Sequence, residues 1–156
     1  MKILDFLCKK AITQNLKNTS KEETIKELVD LLIDAGEIDK KDRAKIVESL
    51  MAREVLGSTA IGHNVGIPHS KLDCVKRLVA AFGVSVRGVD FDSLDGEPVY
   101  IFFLLLAPQD SAGPHLKALA RISRLTKDRY FRDSLRQAPD VKAILKILMQ
   151  EDDKRI

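Results

Sequence analysis

The ten-residue run VYIFFLLLAP, from Val99 to Pro108, constrains this chain more than any other segment. It carries no charge and no polar alternation. It is about half the length needed to cross a bilayer as a helix. An apolar run of this length fits a strand buried on both faces of a sheet. Such a strand needs cover on both sides, and the flanking sequence supplies it. Helical patterns precede the run, strand patterns surround it and helical patterns follow it. This order predicts an α/β fold, a mixed β-sheet flanked by helices on both faces, in a single domain over residues 1–156.

The N-terminal part opens with a short apolar segment, Ile3 to Leu7, and a candidate strand from Ala11 to Leu16. Ser20 followed by Glu23 fits a capping box, in which hydroxyl and carboxylate each satisfy a free backbone amide. Ile25, Leu28, Val29, Leu32 and Ile33 then recur at helical spacing, and Gly36 is a natural stop. A second helix is predicted from about Asp39 to Val55, with Ile46, Val47, Leu50 and Met51 on one face. Composition changes at Gly57. The stretch GSTAIGHNVGIPHS is too rich in Gly, Pro and small residues for a helix, and predicts short extended pieces joined by tight turns. A strand is expected over Leu78 to Val86, then a polar turn region containing Asp95-Gly96. Helices are predicted over 113–127, 128–137 and 140–150.

Composition excludes several classes of function. Basic and acidic residues nearly balance, 26 against 23, so no concentrated basic stripe points to nucleic acid. Trp is absent and aromatics are 5%, too few for base-stacking platforms. Cys8 and Cys74 match no metal spacing, and three histidines are few for a zinc site. Asp90, Asp92 and Asp95 lack the calcium-loop pattern and read as turn formers. No phosphate-binding GxxxxGK[ST] or GxGxxG loop occurs. The chain is therefore expected to bind no metal and no cofactor. The N-terminal apolar run is too short for a signal peptide, so a cytoplasmic protein with no membrane insertion is expected.

His69 follows Gly66, Ile67 and Pro68. Pro68 fixes its own φ and pushes Ile67 to an extended conformation. A histidine on so stiff a loop suits a nucleophile, whose ring must present one nitrogen in a fixed direction. A purely structural turn histidine fits the local sequence as well. His115 follows Pro114, which suits the first residue of a helix. The histidine would then lie in the first turn, beside unpaired amides and the positive end of the helix dipole, a setting that favours phosphate. A solvated cap residue is the alternative. His63 reads as solvent-facing or as a local hydrogen-bond donor. Arg53, at the end of the second helix, could reach a phosphate with its fork of donors; a solvated helix end is the alternative. Ser58 and Thr59 add hydroxyl donors.

Two blocks tie these residues together: ARE-x-LGSTAIG-x-x-VGIPHS at residues 52–70 and VDFDSLDGEPVYIFFLLLAPQDSAGPHLKALARIS at 89–123. In this order and separation they resemble the mannitol/fructose-type enzyme IIA family of the sugar phosphotransferase system, which includes the nitrogen-regulatory IIA proteins. The resemblance implies that His69, in Ile-Pro-His, is the phosphorylated histidine. It implies that His115 steadies the phosphoryl group and that Arg53 lies near the site, with Ser58 and Thr59 as neighbours. Pro114 stands where the family commonly carries Glu, and Tyr100 replaces a commonly acidic residue. The implied function is a phosphoryl carrier accepting phosphate from phospho-HPr or its nitrogen-branch relative NPr. The partner that follows is a IIB domain, for sugar uptake, or a regulated target protein. Both branches stay open.

Overall fold

The computed structural model describes residues 1–154. Among them, one sheet of six strands is covered by five α-helices. A 3-10 turn at Ile3–Asp5 leads into β1 (Leu7–Thr13). Helix α1 (Lys21–Asp34), a 3-10 turn (Lys40–Asp42) and α2 (Arg43–Val55) follow. Then come β2 (Ala60–Gly62), β3 (Val65–Gly66), β4 (His69–Leu72), β5 (Val79–Val89) and β6 (Val99–Pro108). Helices α3 (Ala112–Leu125), α4 (Arg129–Gln137) and α5 (Val141–Lys154) close the fold.

Strand β6 occupies the middle of the sheet and matches the predicted run in both bounds. The strand order is β1-β5-β6-β3-β2, with β4 also on β6. β5 is antiparallel to β6, while β3 and β4 lie parallel to it in succession, with Val65 opposite Ile101 and His69 opposite Leu105. Side chains of a strand alternate between faces. Phe102, Leu104 and Leu106 therefore pack with α1 and α2, through Ile25, Leu28, Leu32, Ile46 and Leu50. Ile101, Phe103 and Leu105 pack with α3, α4 and α5, through Ala118, Ile122, Phe131 and Leu148. Phe82 meets Phe103 edge-on at 4.9 Å, and Phe91 meets Phe102 at 5.2 Å. Each such buried ring contributes about 2–3 kcal/mol.

Of the expected capping box only one half forms: Ser20 Oγ accepts the Glu23 amide at 3.4 Å, while the Glu23 carboxylate pairs with Lys26 at 3.4 Å. After α1 the Gly36 amide donates to Ile33 O and the Glu37 amide to Leu32 O, both at 3.0 Å. That reversal places Gly36 at φ +79°, where glycine carries no steric penalty.

Several boundaries differ from expectation, and the strand expected over Leu78 to Val86 lies at Val79–Val89. The first strand lies at Leu7–Thr13 rather than Ala11 to Leu16. Exposed Lys9 and Lys10 obscure its pattern, and pairing to β5 sets its limits. The second helix begins at Arg43, because Asp39 caps a separate tight turn by accepting the Lys41 amide. Helix α3 begins at Ala112, so Pro114 is its third residue, not its first. Proline is tolerated there because the first amides of a helix have no acceptor within it. Helix α5 runs on to Lys154 because its acidic end is buried: Asp152 is 1% exposed. Its carboxylate accepts the Ile3 and Leu4 amides at 2.9 and 3.1 Å and pairs with Arg121 at 3.0 Å.

Candidate active site

The strand along one edge of β6 is broken at Ile67-Pro68, between β3 and β4. Pro68 has no amide to donate, so the ladder cannot run straight through. The Ile67 amide turns away and donates to Thr59 O at 3.1 Å, while Pro68 O accepts the Leu105 amide at 2.9 Å. His69 resumes the pairing opposite Leu105. Paired residues of neighbouring strands share a face, so His69 faces the α3 side. Ser70, one residue on, faces the other side, where its hydroxyl meets that of Ser49 on α2.

Helix α3 turns His115, Ala118, Ile122 and Leu125 inward. His115 is 7% exposed, although Pro114 and Leu116 on either side of it are exposed. Its ring lies 5.3 Å from that of His69, centroid to centroid, tilted by 54°. The helix starts beside it: the His115 amide makes the first helical bond, to Ser111 O at 3.0 Å. The Ala112 and Gly113 amides before it lack helical acceptors, and the positive end of the helix dipole lies at this end of α3.

The two rings are differently engaged. His69 Nδ1 lies 2.7 Å from Ile67 O. A carbonyl only accepts, so Nδ1 carries the proton and Nε2 keeps its lone pair. Burial pushes the His69 imidazole below its ordinary value, the Ile67 carbonyl opposes this, Arg53 adds to the lowering and Glu54 opposes it. His115 is pushed down to about 4, chiefly by burial and then by His69 and Lys71. Both rings are thus neutral at pH 7. His115 Nε2 is buried with no hydrogen-bond partner among the described residues.

The other candidates are placed as follows. Arg53 acts electrostatically on His69 and donates from Nη1 to Gly57 O at 2.8 Å, closing its own helix. Ser58 donates to Phe91 O at 2.6 Å and accepts the Ala60 amide at 3.1 Å. Thr59 is buried and donates its hydroxyl to Glu54. These two hydroxyls shape the loop in this structure, with their protons aimed at protein acceptors. His63 is exposed at the tip of the β2–β3 hairpin, with φ +56°.

Sequence inspection passed over Glu54. It is 5% exposed, accepts the Thr59 amide at 3.2 Å and pairs with Lys21 at 3.2 Å. The signal was present in the helix period: Ile46, Leu50 and Glu54 stand four residues apart and are all buried. The Ile67 carbonyl was likewise not expected as a site group.

The family model for the phosphoenolpyruvate-dependent sugar phosphotransferase system, EIIA 2, matches residues 5–151, and the chain belongs to that family. It is 40% identical over 148 residues to a nitrogen regulatory protein of Bradyrhizobium diazoefficiens, covering 95% of each chain. It is 38% identical over 152 residues to the fructose-specific EIIABC component of Bacillus subtilis, covering 97% of this chain and 24% of that protein. The crystal structure of nitrogen regulatory protein IIA-Ntr from Neisseria meningitidis superposes with a TM-score of 0.82 at 31% identity, over 92% of this chain and 97% of that one.

Proposed function

We propose that this chain is a phosphoryl carrier that accepts phosphate on Nε2 of His69 from the phosphohistidine of HPr or NPr. The observation that carries the reading is the state of the two rings. Nδ1 of His69 is held by Ile67 O, which leaves Nε2 as the nucleophile. The neighbouring His115 Nε2 is buried and has no protein partner. A buried polar atom without a partner costs about 1–3 kcal/mol, and a phosphoryl oxygen would supply the missing partner.

In the reaction the His69 Nε2 lone pair attacks phosphorus in line with the donor nitrogen. A new N–P bond forms as the donor N–P bond breaks, and the electron pair returns to the donor ring. The His69 ring gains positive character, which the Nδ1–H bond to Ile67 O disperses. Trading one N–P bond for another needs little driving force, so alignment and charge compensation do most of the catalysis. In this reading His115, Arg53 and the first amides of α3 compensate the oxygens, with Ser58 and Thr59 as loop neighbours. Leu56, close in sequence to Arg53, is 83% exposed, and Leu116, beside His115, is 65% exposed. Exposed apolar groups suit a transient donor interface.

The phosphoryl group then serves one of two ends. In a stand-alone regulatory carrier its presence changes which target protein binds. In a sugar-uptake component it passes to a IIB domain. The similarity over nearly the whole length of a nitrogen regulatory protein favours the first; the similarity to a fructose-specific component keeps the second. The experiment is labelling with phosphoenolpyruvate and the general phosphotransferase proteins. An acid-labile, base-stable label is expected on the protein and not on His69→Ala. Full labelling of His69→Ala would overturn the assignment.

A further inference from the structure

The buried carboxylate of Glu54 lies at the root of an unbroken chain of contacts that ends on the nucleophile. Lys21 Nζ and the Thr59 amide both approach its Oε1, each at 3.2 Å. The Thr59 hydroxyl donates to its Oε2. The carbonyl of the same Thr59 accepts the Ile67 amide at 3.1 Å. The Ile67 carbonyl in turn accepts Nδ1–H of His69 at 2.7 Å. Thr59 thus grips Glu54 with its amide and hydroxyl and grips the Ile67 segment with its carbonyl.

Ile67 needs such an anchor. The break at Pro68 leaves the Ile67 amide outside the β6 ladder, and its bond to Thr59 holds it instead. Thr59 itself precedes β2, the outermost strand, whose pairing with β3 is short and irregular. The sheet alone fixes this corner weakly. A charged acceptor strengthens the bonds made to it, more so when buried. Lys21 also pairs with Asp92 at 3.2 Å and lies 4.9 Å over the Phe91 ring, so it keeps partners apart from Glu54.

We propose that Glu54 is a positioning residue for His69, acting through Thr59 to set the place of the Ile67 carbonyl that holds the imidazole Nδ1. The proposal rests on His69 being the phosphoryl acceptor. Glu54 touches no reacting atom. Its contribution is to keep one tautomer and one ring orientation, so that Nε2 always faces the donor.

Two variants separate this role from a charge effect. In Glu54→Gln the side-chain oxygen can still accept from Lys21 and Thr59 N, and the amide can donate to the Thr59 hydroxyl, which can turn to accept. In Glu54→Met no acceptor remains, while the volume is kept. The readouts are the ring nitrogen shifts of His69 by NMR and the rate of phosphoryl transfer. Wild type and Glu54→Gln should show a single Nδ1–H tautomer, with rates within about threefold of each other. Glu54→Met should show mixed tautomers and transfer slowed about 10- to 100-fold, the size expected of a misplacement near 1 Å. If Glu54→Met fails to fold, Thr59→Val, which removes only the hydroxyl bond, should show the same tautomer mixing to a lesser degree. A wild-type tautomer in every folded variant of Glu54 and Thr59 would overturn the proposal, as would equal slowing in Glu54→Gln and Glu54→Met. Labelling of wild type at a residue other than His69 would instead overturn the acceptor assignment, and the tautomer readout does not depend on it.

Discussion

Nδ1 of His69 donates to the carbonyl of Ile67, two residues earlier in the chain, at 2.7 Å. This bond leaves only Nε2 bare, and an attack on phosphorus requires a bare ring nitrogen. The phosphorylated protein should therefore carry its phosphoryl group on Nε2. Ring-nitrogen and phosphorus NMR of the labelled protein distinguishes the two isomers, and an Nδ1 adduct would contradict the selection.

His115 should assist without being modified. Its neutral ring 5.3 Å from that of His69 and its buried Nε2 lacking a partner support this expectation. His115→Ala should still be labelled on His69, with transfer slowed on the order of 10²-fold, the scale of one lost transition-state donor. Rapid-quench kinetics in both directions measure this, and unchanged rates would remove the role.

The same burial makes the fold sensitive to acid. His115 titrates at about 4 in the fold, against about 6.5 in the unfolded chain. As pH falls the unfolded chain takes up the proton first, so stability rises with pH between those values. The contribution is full above about pH 6.5 and lost by about pH 4, and amounts to about 3 kcal/mol. His69 is lowered too and adds in the same sense. Urea unfolding at pH 7.5 and pH 4.5 should show a smaller loss for His115→Leu than for wild type. An equal loss would mean that other groups set the acid limit.

The middle of the sheet was the most legible part of the molecule. Ile101 to Ala107 is buried on both faces, and that demand is written into its unbroken apolar sequence. The extended pieces and turns of residues 57–70 were also legible, since Gly and Pro act locally. The edge strand β1 was not. Its limits come from pairing with β5, some seventy residues away, and its Lys9 and Lys10 look like loop residues. Within the site, His69 is marked by its neighbours Gly66 and Pro68. The burial of His115 is not, because Pro114 and Leu116 beside it are exposed and only the helix period turns it inward. Glu54 was hidden for a chemical reason: a carboxylate next to an arginine at a helix end reads as solvated, and only the fold reveals Lys21 opposite it.

Phosphorylation should act as an electrostatic switch on one face and leave the fold unchanged. The phosphoryl group brings about 1.5–2 negative charges. They would arrive beside Arg53 and Lys71, on a segment pinned to strand β6, which is buried from Ile101 to Ala107. Partners with acidic or apolar patches would be repelled and those with spare Arg or Lys attracted. Amide hydrogen exchange on both forms should change only around Arg53, His69 and His115. Broad changes through residues 20–50 would show refolding instead.

The carboxylate of Asp152 holds the amides of Ile3 and Leu4, a contact spanning nearly the whole chain. During synthesis the turn at Ile3–Asp5 is made 149 residues before its acceptor. Until then α5 has no clasp for that turn, and Arg121 on α3 lacks its ion pair with Asp152. Closing so long a loop is entropically slow relative to local pairing. That clasp therefore closes only after residue 152 has left the ribosome, and a nascent chain halted before that point presents the Ile3–Asp5 turn unlatched.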